Sequence, residues 1–410
     1  MTYYSPSDIN KITEDCINLY QSIPKNGKPI ESEWTVLSCV IELDKISKNN
    51  KIVALGTGSK CIGATKMSSL GNILNDSHAE IIARRGFLLY LYKNILDTLS
   101  EKSSIFIREN EKFKLKDNLE YLFYSSQMPC GDASIIPKCG EQDDYGDLII
   151  NSKRKADINI CEIQSKKVKM DIHRTGAKCL THGNQDPKEP GDKYHLIGQV
   201  RTEPGRGDRT LSVSCSDKIA RWIHLGIQGA LLSLILHEPI FIKCFIFGSG
   251  TPYSKESLHR ALIYRDNEDV LGRLQVVPEF HNSSIVFPHI RTTNSLRPSA
   301  GSIIYVNINN GLQEVAVQGV KLGLTKKKAN SLNHCLSICK YNLYRIFLEI
   351  LEKNHDLKKI ICCEELKDIP YNKMKRKAVL YQEKWTEIKD NFFKAWTVKP
   401  DIWNFCINDK

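Results

Sequence analysis

The sequence predicts an α/β domain, built as a mixed β-sheet flanked by helices. Short apolar runs typical of buried strands alternate with longer segments in which apolar residues recur at helical spacing. The chain has 410 residues, 41% of them hydrophobic, so it can bury a substantial core. We therefore expect a globular protein, organised as one domain over residues 1–410.

The first third of the chain predicts three strands and two helices. Residues 5–23 carry apolar side chains at helical spacing. A second helix is expected from His78 to about Leu96, with Asp76 and Ser77 as candidate N-caps. The glycine-rich loop at 56–61 is either a turn or a place where the backbone approaches a ligand closely. The strands are expected at Trp34–Leu43, Ile52–Gly56 and Tyr121–Ser125.

The rest of the chain is expected to alternate helices with strands after a polar insertion. From about 139 to 172 the apolar density falls and charges crowd together, which indicates an exposed insertion. A serine-rich turn before Cys215 starts a helix, and an apolar run through Leu236 follows. The remaining elements are expected as a strand at Phe241–Phe247, a short helix at Ser254–Ile263, short strands and turns over 279–317, and two long helices at Lys326–Leu351 and Pro370–Trp396.

The charge of the chain points to a polyanionic partner. Its net charge of +11 and pI near 8.9 are typical of nucleic-acid-binding proteins, although a generic basic surface gives the same total. The N-terminus lacks the pattern of a secretory signal, and no apolar run is long enough to span a membrane. With fourteen cysteines besides, we expect an intracellular protein of the nucleus or cytoplasm that has no membrane partner.

His78 and Glu80 are the first candidate site residues. Two residues apart on a regular helix point in nearly opposite directions, so these side chains can share a site only where a helix begins. Cys130 and Cys215 also fall at expected helix starts, where the helix dipole favours a thiolate. One imidazole and two thiolates form the ligand set of a catalytic zinc site, in which water takes the fourth position.

The same four residues predict a hydrolytic deamination. Zinc lowers the pKa of its water toward neutrality, which gives a hydroxide that can attack an aromatic C–N carbon. Glu80 can take the water's proton and pass it to the ring nitrogen and then to the departing amine. Zinc deaminases usually carry Pro-Cys-x-x-Cys as the second half of their signature. Here Ala133 stands three residues after Cys130, and Cys215 supplies the second thiol.

Four sequence blocks together resemble the adenosine deaminases that act on RNA and, more closely, the eukaryotic tRNA-specific adenosine deaminases. They are Gly56–Cys61, Leu74–Arg85, Pro129–Ala133 and Ser214–Trp222. The resemblance spans essentially the whole chain and implies a sheet of the cytidine-deaminase type, with C-terminal helices that enclose a polyphosphate site. The tRNA branch is favoured because segments 174–178 and 204–208 resemble it, and because the deaminase unit leaves no room for double-stranded RNA-binding domains.

The resemblance also implies a substrate and its contacts. The expected substrate is the adenosine immediately 3′ of the anticodon of alanine tRNA, a loop base that costs little to extrude. Ser59 and Lys60 are expected to contact the sugar and phosphate of the target nucleotide, and Arg206 the neighbouring bases. Glu203 stands where the resemblance predicts a lysine, so the chain departs there from the charge relay of the relatives. No obligate protein partner is implied.

A second ligand implied by the resemblance is inositol hexakisphosphate, buried beneath the active site. Many cations converging on one interior repel each other unless a polyanion neutralises them. The alternative is that the C-terminal lysines cover the surface of a basic helix. The implied contacts are Asn75, Ile81, Arg84, Arg85, Lys218, Arg221, Lys321, Tyr371, Lys375, Tyr381, Trp396 and Lys399.

Two other functions fit part of the sequence. A deaminase of free nucleosides or cytidine uses the same zinc chemistry, but is expected to be small and neutral or acidic. A catalytically silent RNA-binding protein of the same fold is expected to have lost one of the four site residues. This chain is large and basic, and it keeps Glu80 and all three candidate ligands.

Overall fold

The computed structural model describes residues 4–138, 172–180, 183–187, 194–203, 208–265, 274–329, 331–361, 365–398 and 404–407. The insertion expected at about 139–172 lies outside these ranges except for its last residue. Two of the expected ligand contacts, Arg206 and Lys399, also lie outside them.

Within these ranges, an eight-stranded mixed sheet forms the centre of the fold. In chain order its strands are β1 (Leu37–Asp44), β2 (Asn50–Thr57), β3 (Leu119–Ser125), β4 (Ile242–Ser249), β5 (Glu279–Val286), β6 (Gly301–Val306), β7 (Leu312–Val317) and β8 (Val320–Lys321). Their order across the sheet is β5-β4-β3-β1-β2-β6-β7-β8. Strands β3, β4 and β5 run parallel, and the other neighbours pair antiparallel. The α/β class with a mixed sheet is confirmed.

Both faces of the sheet are buried, because successive side chains of a strand point to opposite faces. On β1, Cys39 and Ile41 belong to one core cluster, whereas Val40 between them belongs to the other. On β3, Leu122 and Phe123 divide in the same way. Strands buried on both faces read as continuous apolar runs, which is why the sequence identified them.

Helices cover the two faces. Helix α1 (Pro6–Ser22) packs against β2, β4 and β5, and α2 (Ala79–Leu99) packs against β1, β2 and β6 from the opposite side. The others are α3 (Cys215–Leu225), α4 (Gly229–Ile235), α5 (Lys255–His259), α6 (Lys326–Ala329), α7 (Lys340–Lys353), α8 (His355–Ile361), α9 (Tyr371–Arg376) and α10 (Val379–Ile388). None of the described helices combines the length and apolar character needed to cross a bilayer.

Shorter elements connect this framework. Single helical turns lie at Ala64–Lys66, Asp132–Ser134, Leu332–His334 and Leu366–Asp368, and wider turns at Arg260–Tyr264 and Lys389–Phe393. Short strands also pair outside the main sheet: Glu33–Trp34 with Arg297–Pro298, Phe106–Glu109 with Lys112–Leu115, Ile136–Pro137 with Ile172–His173, and Lys178–Cys179 with Arg201–Thr202.

The prediction of one long helix at Lys326–Leu351 is wrong, because this segment forms three separate elements: α6, a single helical turn and α7. The side chain of Ser331 accepts a hydrogen bond from the backbone N–H of Asn333, and Cys339 caps the N-terminus of α7. Short polar side chains that bond the local backbone compete with a continuous helix. The apolar spacing alone did not reveal these two caps.

The second long helix, expected at Pro370–Trp396, is also wrong as a single element. Helix α9 ends near Lys377, and α10 begins after Ala378, whose ψ of 65° is not helical. The side chain of Gln382 donates to the carbonyl of Lys375 at 2.8 Å, so it satisfies an acceptor at the end of α9. Two shorter helices can turn separate faces toward one cavity.

Candidate active site

Three element starts bring the candidate metal ligands together. His78 is the N-cap of α2, and Cys215 is the first residue of α3, whose N-cap Ser214 accepts a hydrogen bond from the backbone N–H of Asp217. Cys130 lies just before the helical turn that begins at Asp132. The backbone N–H of Cys215 points to Cys130 Sγ at 3.3 Å, so the two thiols are adjacent. The ligand atoms of Cys215 and His78 also lie within 4.8 Å of each other, so the three candidate ligands share one region of the fold.

Gly131 allows the two thiol-bearing turns to approach each other. Its φ of 104° lies in the region that glycine favours, and a Cβ there would clash with the Ser214 side chain. The Ser216 side chain spans the same gap, because it donates to the carbonyl of Cys130 at 2.8 Å. A larger residue at position 131 would separate Cys130 from Cys215.

Asp76 orients the ring of His78. Its Oδ1 accepts from the backbone N–H of His78 at 2.9 Å and from the ring Nδ1 at 2.8 Å. The sequence placed Asp76 and Ser77 as candidate N-caps, but the N-cap is His78 and Asp76 holds its ring instead. Because Nδ1 donates to a carboxylate, Nε2 is the nitrogen left to bind a metal.

Glu80 is the buried carboxylate of the site. It is 3% exposed, and its Oε2 has no hydrogen-bond partner among the described residues. Burial raises the pKa of Glu80, an effect that the nearby His78 partly opposes. A carboxylate with one free oxygen and a raised pKa can both accept and return a proton.

Glu203 joins the same cluster, and the sequence assigned it no role there. Its Oε1 lies 2.8 Å from Cys130 Sγ, and its Oε2 lies 3.4 Å from His78 Nε2. Ligand atoms of His78, Glu203 and Cys215 all lie within 4.8 Å of one another. The only signal in the sequence was the acidic residue at a position where a lysine was expected.

The pKa values of the two candidate thiols are raised above their usual range. Burial raises the pKa of Cys215 well above its usual range. For Cys130, the hydrogen bond with Cys215 lowers the pKa, but burial and the charge of Glu203 raise it overall. Metal ligation requires thiolates, so a cation that binds here must displace these protons.

The glycine loop between β2 and α2 packs on the start of that helix. The carbonyl of Gly58 accepts from the backbone N–H of Ala79 at 3.0 Å, and the carbonyl of Lys60 accepts from Ser77 at 2.9 Å. Gly58 has a φ of 132°, and a Cβ there would clash with the Ser77 carbonyl. The backbone of this loop therefore closely approaches the start of α2. In the same loop, the buried Ser59 Oγ has no hydrogen-bond partner within the described ranges.

A cationic cavity of about 260 Å³ lies on the other side of α2. Ten of the residues expected to contact a polyphosphate line it: Asn75, Ile81, Arg84, Arg85, Lys218, Arg221, Tyr371, Lys375, Tyr381 and Trp396. Lys321 does not line it; its Nζ pairs with Glu314 Oε1 at 3.1 Å. Lys340, at the start of α7, does line it and was missed, because the sequence placed it inside a longer helix.

The arginines of the cavity are partly buried and close enough to one another to interact. Burial lowers the pKa of Arg84 to about 10, and that of Arg85 falls for the same reason. The guanidinium of Arg221 lies 3.7 Å from the centroid of the Trp385 ring. Its Nε is buried and has no hydrogen-bond acceptor among the described residues. Buried cations whose N–H groups lack acceptors indicate a missing anion.

Asp76 also connects this cavity to the candidate metal centre. Lys218, which lines the cavity, contacts the Asp76 carboxylate, and Ser212 donates to Asp76 Oδ2 at 2.6 Å. The other oxygen of Asp76 holds the His78 ring. A change in the position of Lys218 can therefore alter the orientation of the His78 ring through the carboxylate of Asp76.

This site defines a class of protein: an α/β enzyme whose helix ends present an imidazole, two thiols and a buried acid, as metal-dependent hydrolases do. The chain belongs to the adenosine-deaminase (editase) domain family, which it matches over residues 54–400. The resemblance seen in the sequence motifs is confirmed, and the chain is an adenosine deaminase.

Its relatives divide into two groups. The chain is 36% identical to tRNA-specific adenosine deaminase 1 of Drosophila melanogaster over 96% of this chain and 95% of that protein. It is 32% identical to tRNA-specific adenosine deaminase 1 of Homo sapiens over 95% of this chain and 98% of that protein. The double-stranded RNA-specific editase Adar of Drosophila melanogaster is 31% identical over 66% of this chain but only 37% of that protein.

Proposed function

We propose that this protein hydrolyses adenosine to inosine and ammonia in tRNA, using one zinc ion held by His78, Cys130 and Cys215. The observation that carries the proposal is the position of Cys215, which lies beside Cys130 and has its ligand atom within 4.8 Å of that of His78. The buried carboxylate of Glu80 interacts with both His78 and Cys215. Zinc suits this donor set, because it binds imidazole and thiolate in four-coordinate sites. When bound, it supplies a water whose pKa lies near neutrality.

Glu80 is the proton carrier of the proposed reaction. Its Oε2 is buried and free to accept the proton of the attacking water. The same carboxyl group then donates this proton to the purine ring nitrogen. It next takes the second proton of the former water, from the hydroxyl now on the purine carbon, and transfers it to the departing amine. Burial excludes bulk water from the carboxyl group, so the proton is not lost between the two transfers.

The proposed substrate is the adenosine immediately 3′ of the anticodon of alanine tRNA. The names of two relatives that align over 95% and 98% of their own length support a tRNA substrate. The net charge of +11 suits binding to the phosphate backbone. We assign Ser59 and Lys60 to the sugar and phosphate of the target nucleotide and Arg206 to the neighbouring bases. The proposed compartment is the nucleus or cytoplasm, which suits free cysteines.

The proposed second ligand is inositol hexakisphosphate in the cationic cavity. The support is the set of partly buried arginines and lysines around a space of about 260 Å³, with the buried Nε of Arg221 lacking a hydrogen-bond partner within the described ranges. A polyanion there would relieve the repulsion between Arg84, Arg85 and Arg221. It would also hold α9 and α10 against α2 and α3, since their residues line the same cavity.

The test of the reaction is conversion of alanine tRNA by the purified protein. We expect inosine 3′ of the anticodon, read as guanosine in the sequenced reverse transcript, and no such signal when that adenosine is replaced by uridine. Glu80→Gln and Glu80→Ala should lower the rate roughly 100- to 10,000-fold while zinc remains bound. Equal rates for Glu80→Ala and the wild type would contradict the assigned mechanism. No conversion by either would favour the silent RNA-binding protein or another RNA substrate.

The test of the second ligand is chemical. The protein is dialysed extensively and then denatured, and released inositol phosphates are measured. We expect close to one inositol hexakisphosphate per chain. Protein that is folded and active but releases none would rule out this ligand.

A further inference from the structure

Glu203 is a buried carboxylate within the candidate metal centre that the deamination chemistry does not require. It is 3% exposed, and it directly follows the short strand Arg201–Thr202. Its backbone is fixed on both sides, because its N–H donates to the carbonyl of Ser212 at 2.9 Å and its carbonyl accepts from Thr210 Oγ1 at 3.0 Å. The side chain therefore leaves a rigid backbone close to the start of α3.

The distance between Glu203 and His78 is that of two neighbouring metal ligands. Tetrahedral zinc, with bonds of about 2.0–2.3 Å, places its ligand atoms roughly 3.3–3.8 Å apart. Glu203 Oε2 lies 3.4 Å from His78 Nε2, and the ligand atoms of Glu203, His78 and Cys215 lie within 4.8 Å of one another. A carboxylate that did not bind the metal would lie farther from the metal position than the ligand atoms do.

Metal binding would leave Glu203 without its present partners. A metal-bound cysteine is a thiolate, so Cys130 would no longer donate an S–H to Glu203 Oε1, 2.8 Å away. His78 Nε2 would be directed at the metal as well. A buried carboxylate beside a thiolate is strongly unfavourable unless a cation lies between the two anions. Binding the metal directly resolves this conflict.

We propose that Glu203 is a fourth protein ligand of the metal in the substrate-free enzyme. This inference rests on the zinc site proposed above. Catalytic zinc sites keep one position for water, whereas sites with four protein ligands are closed. The resting site is then closed, and the Glu203 carboxylate must withdraw before deamination. A protonated lysine, which the resemblance predicts for this position, offers no lone pair and leaves the site open.

The experiment uses cobalt, whose absorption spectrum reports its ligands, and azide as a small competing ligand. The full chain is loaded with Co²⁺ and titrated with azide as wild type, Glu203→Gln, and Glu238→Gln. Glu238 is a matched control, because its side chain is 72% exposed. We expect the spectra of the wild type and Glu238→Gln to resist azide. Glu203→Gln should respond at an azide concentration at least roughly tenfold lower.

Each outcome separates this inference from the zinc site itself. A wild type that binds cobalt and responds to azide like Glu203→Gln overturns the assignment of Glu203. A wild type that binds neither cobalt nor zinc overturns the zinc site and this inference with it. His78→Ala, which should lose the metal, establishes that the spectra report this centre.

A crystal structure of the zinc-loaded wild type gives a second answer, which does not depend on folding of the Glu203→Gln variant. A Glu203 oxygen at about 2.0–2.2 Å from zinc supports the proposal. A water in that position, with Glu203 bonded to the water or to a basic residue instead, overturns it.

Discussion

Asp76 holds the ring of His78 by accepting a hydrogen bond from Nδ1 at 2.8 Å, while the same carboxylate contacts Lys218 of the cationic cavity. The ring is thereby fixed with Nε2 directed at the candidate metal centre. Partners of this kind set the tautomer and basicity of a ligating histidine. The site and the cavity are therefore parts of one hydrogen-bonded unit.

Asp76→Asn should weaken zinc binding. An amide in place of the carboxylate removes the negative charge that supports His78 and takes away the ion-pair partner of Lys218, so we expect a loss of about 10- to 100-fold in zinc affinity. Competition with a chromogenic chelator measures it. Asp117→Asn is the matched control, since that side chain is 84% exposed. Unchanged affinity in Asp76→Asn would mean that the ring is held by other contacts.

Lys340 and Lys321 should differ in their effect on inositol hexakisphosphate. Lys340 lines the cavity, whereas Lys321 pairs with Glu314. Lys340→Met should therefore lower the amount of inositol hexakisphosphate that copurifies and survives dialysis, and Lys321→Met should not. The released ligand is measured after denaturation. If Lys321→Met lowered the amount of bound ligand and Lys340→Met did not, Lys321 would be the residue that contacts the ligand and Lys340 would not.

Arg84→Ala should damage folding more than zinc chemistry. The Nε of Arg84 donates to the carbonyl of Ile227 at 2.9 Å, and the guanidinium lines the cavity. Loss of a partly buried, charge-assisted hydrogen bond costs about 2 kcal/mol, and loss of a polyanion contact adds to this cost. Urea unfolding measures the change. The control is Arg108→Ala, whose side chain is 48% exposed. A soluble, zinc-loaded and fully active Arg84→Ala protein with wild-type stability would refute this role.

His224 should make the protein less stable in acid. Burial lowers the pKa of His224 to about 4, against about 6.5 in the unfolded chain. Between these values the unfolded chain binds a proton that the folded protein does not, so stability falls as the pH falls from about 6.5 to about 4. The total contribution of this residue to the free energy of unfolding is roughly 3 kcal/mol.

His224→Gln should remove this part of the acid sensitivity. Urea unfolding of the wild type and the variant, compared at about pH 7.5 and pH 5, isolates the residue from metal loss, which affects both proteins alike. His237→Gln is the control, because its side chain is 41% exposed. Parallel pH profiles for wild type and His224→Gln would show that the folded protein accommodates the protonated ring.

The sequence predicted the central strands well, because strands such as β3 and β4 are buried on both faces and are apolar along most of their length. It predicted the long C-terminal helices poorly. There the apolar spacing continues past Ser331 and Cys339, whose side chains cap local turns. Periodicity reports which face is buried, but not where a polar side chain ends the helix.

The amino-acid sequence was enough to name the candidates: His78, Cys130 and Cys215 as proposed metal ligands, Glu80 as the proposed acid and base, and an excess of cations. Three findings required the folded structure. Lys340 lines the cavity, Asp76 accepts a hydrogen bond from the His78 ring, and Glu203 lies within ligand distance of the same centre. The physical reason is that residue types and local spacing fix which chemistry is possible. Distances across 85 or more residues are set by how the sheet and its helices pack.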